Sequence, residues 1–130
     1  MGYDELKHQS RLEMFKSVIE FSKMTIQTAL LLNGGAAIAV LAFIGQIAEK
    51  QPERIATLAG SVLPFGLGAF LAGLTAGSTY LTQWLGAGDW QKTAMTFNVI
   101  GILLGLASLL CFGWGILQVR SAILVAFPVV

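Results

Sequence analysis

Residues 25–48 read TIQTALLLNGGAAIAVLAFIGQIA and contain no charged side chain. As an α-helix with a rise of about 1.5 Å per residue, a segment of this length reaches roughly 36 Å, enough to cross the hydrocarbon core of a bilayer with some tilt. The charged pair Glu49 and Lys50 follows directly and belongs in water. The stretch therefore predicts a first membrane span over residues 25–48.

A second uncharged run extends from Ile55 to Gly88 and is too long for one perpendicular span. Pro64 lies within it, and a proline removes a backbone donor and kinks or opens a helix. We therefore divide the run at this residue. The division predicts an interfacial segment over residues 53–63 and a second span over residues 64–86.

A third uncharged run predicts a span over residues 93–119, which Arg120 ends. The loop before it includes Gly88 and Asp89. Residues 120–130 are apolar but too few to cross a bilayer, so we expect them to form an interfacial tail.

Residues 1–24 have the pattern of an amphipathic helix. Apolar side chains cluster at spacings of three and four, and charged side chains occupy most of the remaining positions. The clustered apolar residues are Leu12, Phe15, Val18, Ile19 and Phe21. No glycine or proline separates this segment from the first span, so two arrangements remain open: one continuous helix, or a helix that lies on the membrane surface.

The composition agrees with a protein that has lipid as its solvent. Of 130 residues, 55% are hydrophobic and 12% are charged, against about 25% charged in a soluble domain. The sequence thus predicts an all-α integral membrane protein, with three transmembrane helices and an N-terminal amphipathic helix in one membrane domain. Acidic and basic residues are interleaved and the net charge is +1, so the expected partner is the lipid bilayer and not nucleic acid.

Basic residues near the ends of the spans predict the orientation of the chain. Five of them lie on the side of the N terminus and three on the opposite side. They are Lys7, Arg11, Lys16, Lys23 and Lys92 on the first side, and Lys50, Arg54 and Arg120 on the second. Because cytoplasmic segments carry the excess of Lys and Arg, we expect the N terminus in the cytoplasm.

Ionisable side chains are absent from all three proposed spans, although proton relays and cation-coupled transporters depend on them. The single histidine, His8, lies on the N-terminal helix, and the single cysteine, Cys111, lies in an apolar run. The sequence contains no metal-ligand cluster, phosphate-binding loop or dinucleotide-binding motif. It therefore predicts no catalytic residue, no metal and no cofactor, and we do not expect an enzyme.

Small residues recur at helical spacing in the second and third spans. They are Ala69, Gly73 and Gly77 in one, and Gly101 and Gly105 in the other. Such strips let helix backbones approach closely in lipid, either within a chain or between chains. In the first span, Asn33 is a polar side chain that needs a partner at mid-membrane, and Gly34 and Gly35 suit close packing or a local hinge.

Hydroxyl side chains follow one face of the second span, at Thr75, Ser78, Thr79 and Thr82. In one interpretation each hydroxyl bonds the preceding turn of its own helix, while Asn33 bonds another helix or a backbone carbonyl. In the other, these four residues line a narrow hydrated path when several copies assemble, because neutral hydroxyls hydrate a pore without strong charge selectivity.

The run LLNGGAAIAVLAFIG, from Leu31 to Gly45, resembles the first span of small, mostly uncharacterised membrane proteins of proteobacteria and their prophages. The likeness covers mainly residues 25–48. It implies an amphipathic N-terminal segment, two or more further spans and a place in the bacterial inner membrane. It implies no particular activity.

Two functions fit these features. The first is a small homo-oligomeric membrane protein that forms or gates a permeability path, in the manner of a holin or a membrane-disrupting effector. The alternative is an accessory or anchoring subunit of a larger membrane complex, whose partners are other membrane subunits. Small-residue strips are expected in both cases.

Overall fold

The computed structural model describes residues 2–88 and 90–128, and every regular element in that part of the chain is helical. The described residues form four α-helices: α1 (Tyr3–Ala48), α2 (Ile55–Ala59), α3 (Leu63–Gly86) and α4 (Gln91–Ala126). Two short 3₁₀ turns, Pro52–Arg54 and Gly60–Val62, flank α2. The all-helical prediction is therefore confirmed. Three helical stretches, Tyr3–Ala48, Pro52–Gly86 and Gln91–Ala126, are long and apolar enough to cross a membrane.

The N-terminal amphipathic segment and the predicted first span form one helix. α1 contains 46 residues without interruption, so it measures roughly 69 Å at about 1.5 Å per residue. The backbone N–H of Gly2 donates to the Glu5 carboxylate at 3.1 Å, which satisfies a donor at the start of the helix. Of the two arrangements that the sequence left open, the structure has the continuous helix, and Gly34 and Gly35 do not break it.

Pro64 lies at the start of α3 and does not kink the helix interior. It occupies the first turn of α3, where a proline is well tolerated. The missing backbone donor of Pro64 leaves the carbonyl of Gly60 without its usual i+4 bond. The N–H of Leu63 bonds that carbonyl instead, which gives the tighter 3₁₀ geometry of Gly60–Val62.

The last helix continues beyond the point at which the third span was predicted to end. Arg120 is exposed on the side of α4, and the helix extends to Ala126. A charged side chain ends an apolar run, but it does not break a helix. Pro128 does, because a proline disfavours the helical conformation of the residue before it, and Phe127 has φ −130° and ψ 73°. Residues 120–126 of the predicted interfacial tail are therefore helical.

α3 and α4 form a close antiparallel hairpin, and α1 packs along it. The turn begins at Ala87, and Asp89 of the predicted loop lies outside the described residues. Residues of the two helices meet in reverse order, with Gly86 near Ala94 at the turn and Phe65 near Gly115 far from it. This order places the start of α3 beside Gly115, and α4 continues past it to pack against Leu58 of α2.

A small apolar cluster closes the end of the bundle opposite the turn. Its buried residues are Leu58, Ala122 and Ala126, and the residues packed against them are Ile44, Ile47 and Phe127. The Arg54 guanidinium lies 4.5 Å from the centroid of the Phe127 ring, within the range of a cation–π contact. The short α2 segment is thus attached to the ends of both α1 and α4.

Candidate functional site

Three polar or small residues, one from each long helix, meet in the middle of the bundle: Asn33, Gly68 and Ser108. The Asn33 side chain is fully buried, and its Nδ2 donates to the carbonyl of Ala29 at 3.0 Å and to the carbonyl and Oγ of Ser108 at 3.3 Å each. The Ser108 hydroxyl donates to the carbonyl of Gly68 at 2.7 Å. We call these three residues the polar junction. The junction confirms that Asn33 bonds another helix and a backbone carbonyl.

The neighbours of Asn33 fix which way its amide points. Two are backbone carbonyls, and the third is the Ser108 Oγ, whose hydrogen is already donated to Gly68. All three can only accept, so the amide nitrogen must face them. The Asn33 Oδ1 then lies against Gly68, where a Cβ atom would overlap it, and it has no hydrogen-bond donor among the described residues.

The Asn33–Ser108 contact can be measured as a coupling energy. We expect Asn33→Leu and Ser108→Ala to be non-additive by about 0.6 kcal/mol, with an upper bound of about 1.7 kcal/mol, as for interhelical hydrogen bonds in membrane proteins. The measurement is the free energy of unfolding of both single variants and the double variant in bicelles. Asn98→Leu with Ser108→Ala is the matched control, because Asn98 lies on α4 outside the junction. Equal coupling in both cycles would contradict the assignment.

The close contact between α3 and α4 uses one of the two predicted small-residue strips. A Cβ on Gly101 would lie 3.4 Å from that of Ser78, and a Cβ on Gly105 would lie 3.6 Å from the Cγ2 of Thr75. Both distances are ordinary or tight van der Waals contact. Helix α4 therefore presents small residues to the hydroxyl face of α3.

The other strip faces away from the rest of the chain. Ala69 is half-buried, while Gly73 and Gly77 are exposed and have no described atom of another helix within 4 Å of a Cβ position. Gly34 and Gly35 in α1 also have no described atom of another helix within 4 Å of a Cβ position, although Gly34 is half-buried. Packing between chains at these positions remains a prediction.

Sequence reasoning missed several residues of the packed faces. On α3 the buried residues include Phe65, Gly68 and Ala72; on α4 they include Ser108 and Gly115. The spacing of Gly101, Gly105 and Ser108 continues one strip of small residues, and this signal could have extended the α4 prediction. No comparable signal in the sequence selects Gly68 over Gly73.

A cleft of about 440 Å³ opens between the three long helices on the side of the turn. We call it the hydroxyl cleft, bounded by residues 18–29 of α1, 72–82 of α3 and 98–109 of α4. Its walls are mostly apolar, with hydroxyl groups from α1 and α3. These are Ser22, Thr25, Thr75, Thr79 and Thr82. The polar junction lies one helical turn beyond Ala29, at the inner end of the cleft.

Three of the four candidate pore-lining residues face this cleft. Thr75, Thr79 and Thr82 line it within a single chain, while Ser78 is buried between α3 and α4. Each of the three threonine hydroxyls donates to the carbonyl four residues earlier at 2.9 Å. The interpretation that these hydroxyls bond their own helix is thus confirmed for the three threonines, and it stays a prediction for Ser78.

The titratable side chains that the structure describes are not gathered around the cleft or the junction. Among the described residues, no group of three or more His, Cys, Asp or Glu is close enough to hold a metal ion. His8 is exposed near the start of α1, and the Cys111 thiol is buried on α4. None of the described residues that line the cleft is charged.

No protein-family model, curated protein or solved structure matches this chain.

Proposed function

We propose that this chain is a small inner-membrane protein of bacteria that self-associates and forms or gates a permeability path, in the manner of a holin or a membrane-disrupting effector. The observation that supports this function best is the hydroxyl cleft. It offers a route that water can wet, and the polar junction closes its inner end. The N terminus is on the cytoplasmic side.

The outer surface of the bundle supports a bilayer as the solvent. Large apolar side chains such as Leu31, Leu103 and Leu110 are exposed all along the helices, and Leu110 is 74% exposed. In water such a surface would be an aggregation hazard, whereas in lipid it costs nothing. With the three long helices as membrane spans, the cleft would lie in the half of the membrane nearer the turn between α3 and α4.

The cleft has the size and chemistry of a hydrated vestibule. A volume of about 440 Å³ holds on the order of ten water molecules, at about 30 Å³ each. Hydroxyl oxygens at several depths would provide hydrogen-bond partners for that water. Opening a continuous path requires α1 to move away from Gly68 and Ser108, because the junction joins all three helices there.

The strip of small residues on α3 that faces away from the rest of the chain, which we call the outward strip (Ala69, Gly73 and Gly77), is available for self-association. We expect Gly73→Leu to reduce oligomer formation, because a bulky side chain would prevent a second helix backbone from approaching. Gly113→Leu is the matched control, since Gly113 is also exposed and also has no described neighbour within 4 Å. The measurement is the particle mass in mild detergent or polymer discs. Equal oligomers from both variants would contradict this use of the strip.

Reconstitution into liposomes tests the permeability function. The purified protein should release an entrapped small dye in proportion to the protein-to-lipid ratio, and Thr79→Val should alter release more than oligomer mass. No release at any ratio would refute the proposal. Accessibility of single cysteines introduced near each end of the chain, in a background lacking Cys111, would test the orientation.

A second function is favoured by the exposed N-terminal part of α1. Residues 2–21 are exposed, and they include Leu12, Phe15 and Phe21, which are 51%, 72% and 68% exposed. An accessory or anchoring subunit would use such a segment to bind a partner. Extraction from native membranes with a second protein in fixed stoichiometry would favour this function over self-assembly.

A further inference from the structure

The hydroxyl groups of the cleft share one orientation. Every one donates its hydrogen to the carbonyl four residues earlier in its own helix, at 2.9 Å in all five cases. The groups are Ser22 and Thr25 on α1, and Thr75, Thr79 and Thr82 on α3. The hydrogens therefore point into the helix backbones and not into the cleft.

This orientation determines what the walls can bind. A hydroxyl that has donated its hydrogen can still accept through its oxygen, so the five groups present acceptors alone. Asn98 is the one lining residue with a side-chain amide, and Phe21, Ile26 and Leu106 are among the apolar ones. Because the described lining carries no charge, the field in the cleft arises mainly from these oxygen dipoles.

We infer that the hydroxyl cleft selects small monovalent cations and water over anions, an inference that rests on the proposed permeability function. A cation that sheds part of its hydration shell can replace water with neutral oxygen ligands. An anion needs donors, and the hydroxyl hydrogens are engaged with the backbone. This leaves the Asn98 amide as the one side-chain donor in the described lining. Divalent cations prefer carboxylate ligands, which the described lining lacks.

Hydroxyls that were free to rotate could donate to an anion or turn their oxygen toward a cation. The sequence alone therefore gives no reason to expect charge selectivity. The selectivity comes from the helical backbone, which holds each hydrogen in a bond at the preceding turn. Thr75 is itself buried and Thr79 and Thr82 are half-buried, so bulk water competes little for these bonds.

The test is the reversal potential of the wild-type protein in a planar bilayer with a KCl gradient. We expect a reversal potential with the sign of the potassium equilibrium potential, not that of chloride. The conductance should be larger in KCl than in CaCl₂ at equal ionic strength. The variant Thr75→Val/Thr79→Val/Thr82→Val removes the oxygens with little change of shape. Its reversal potential should shift toward zero and its conductance should fall.

Two further variants separate selectivity from folding. Thr96→Val is the matched control, because Thr96 makes the same bond to the carbonyl of Lys92 at 3.2 Å but is exposed outside the cleft. It should behave as wild type. Should the triple variant fail to assemble, as judged by particle mass, Thr79→Val alone provides the measurement. Thr79→Ser should retain the wild-type reversal potential, since it keeps the oxygen.

The outcomes distinguish this inference from the function on which it rests. Wild-type protein that conducts with a preference for chloride, or a triple variant that assembles and keeps full cation preference, would overturn the inference while leaving the permeability function intact. Wild-type protein without any conductance would overturn both.

Discussion

Gly68→Ala should separate α1 from the α3–α4 hairpin. A Cβ at residue 68 would overlap the Oδ1 of Asn33, and that side chain is held on its other side by bonds to Ala29 and Ser108. The amide therefore has no room to move without losing its hydrogen bonds. We expect a loss of about 1–3 kcal/mol in the free energy of unfolding, the usual cost of overpacking a filled core, measured by reversible denaturation in bicelles.

Gly66→Ala is the matched control for Gly68→Ala. It lies two residues away on the same helix, is exposed, and has no described neighbour within 4 Å of its Cβ position. Because alanine favours a helix over glycine by up to about 1 kcal/mol, this variant should be neutral or more stable. In the Gly68→Ala background, Asn33→Ala should recover part of the loss, since it removes the overlapping group. Equal stability of Gly66→Ala and Gly68→Ala would rule out the close contact.

Gly115→Ala should disturb the α3–α4 contact at the end far from the turn. Its Cβ would lie 2.6 Å from two atoms of the Phe65 ring, closer than van der Waals contact permits. Phe65 is 2% exposed and packs edge-to-face on Phe112, with ring centroids 5.9 Å apart, so the ring has little freedom to shift. The expected loss is again about 1–3 kcal/mol in the free energy of unfolding.

A smaller partner should rescue this second variant. Phe65→Leu shortens the side chain that the new methyl group would meet, so the double variant Phe65→Leu/Gly115→Ala should be more stable than the sum of the two single changes predicts. Gly113→Ala, two residues away and exposed, is the control and should cost nothing. Strict additivity in the double variant would show that residues 65 and 115 do not meet.

Much of the helical architecture could be predicted from the sequence. Uncharged runs with few breakers determine where long apolar helices form, and the division near Pro64 agrees with the start of α3 at Leu63. The sequence predicts the end of the third span at Arg120, and the helix itself extends past that residue to Ala126. A charge limits how far a helix enters lipid, whereas Pro128 limits the helix itself.

The packed faces were harder to predict because they depend on how each helix is rotated about its axis. Gly68 and Gly73 are both small residues of α3, and the spacing of the outward strip is the more regular of the two. The deciding factor is Asn33 on α1, whose amide requires a neighbour with no side chain. A contact between residues so far apart in the sequence leaves no local signal.

Only part of the wall of the hydroxyl cleft could be predicted from the sequence. The hydroxyl face of α3 was visible as a pattern, and three of its four members line the cleft. Ser22 and Thr25 were not included, because their part in the wall depends on where α1 lies against the hairpin. Their hydroxyl bonds to Val18 and Phe21 complete a wall whose two sides come from different helices.

The continuity of α1 means that a rigid tilt about Asn33 would move its N-terminal end by much more than it moves the polar junction. No proline and no glycine interrupts the helix from Tyr3 to Asn33, so this part of it is stiff and measures roughly 45 Å at about 1.5 Å per residue. A tilt of about 10° at Asn33 would carry the N-terminal end through roughly 8 Å, over the same length. Conversely, a displacement of the exposed N-terminal end by a bound partner would be transmitted along the helix to Asn33, Gly68 and Ser108.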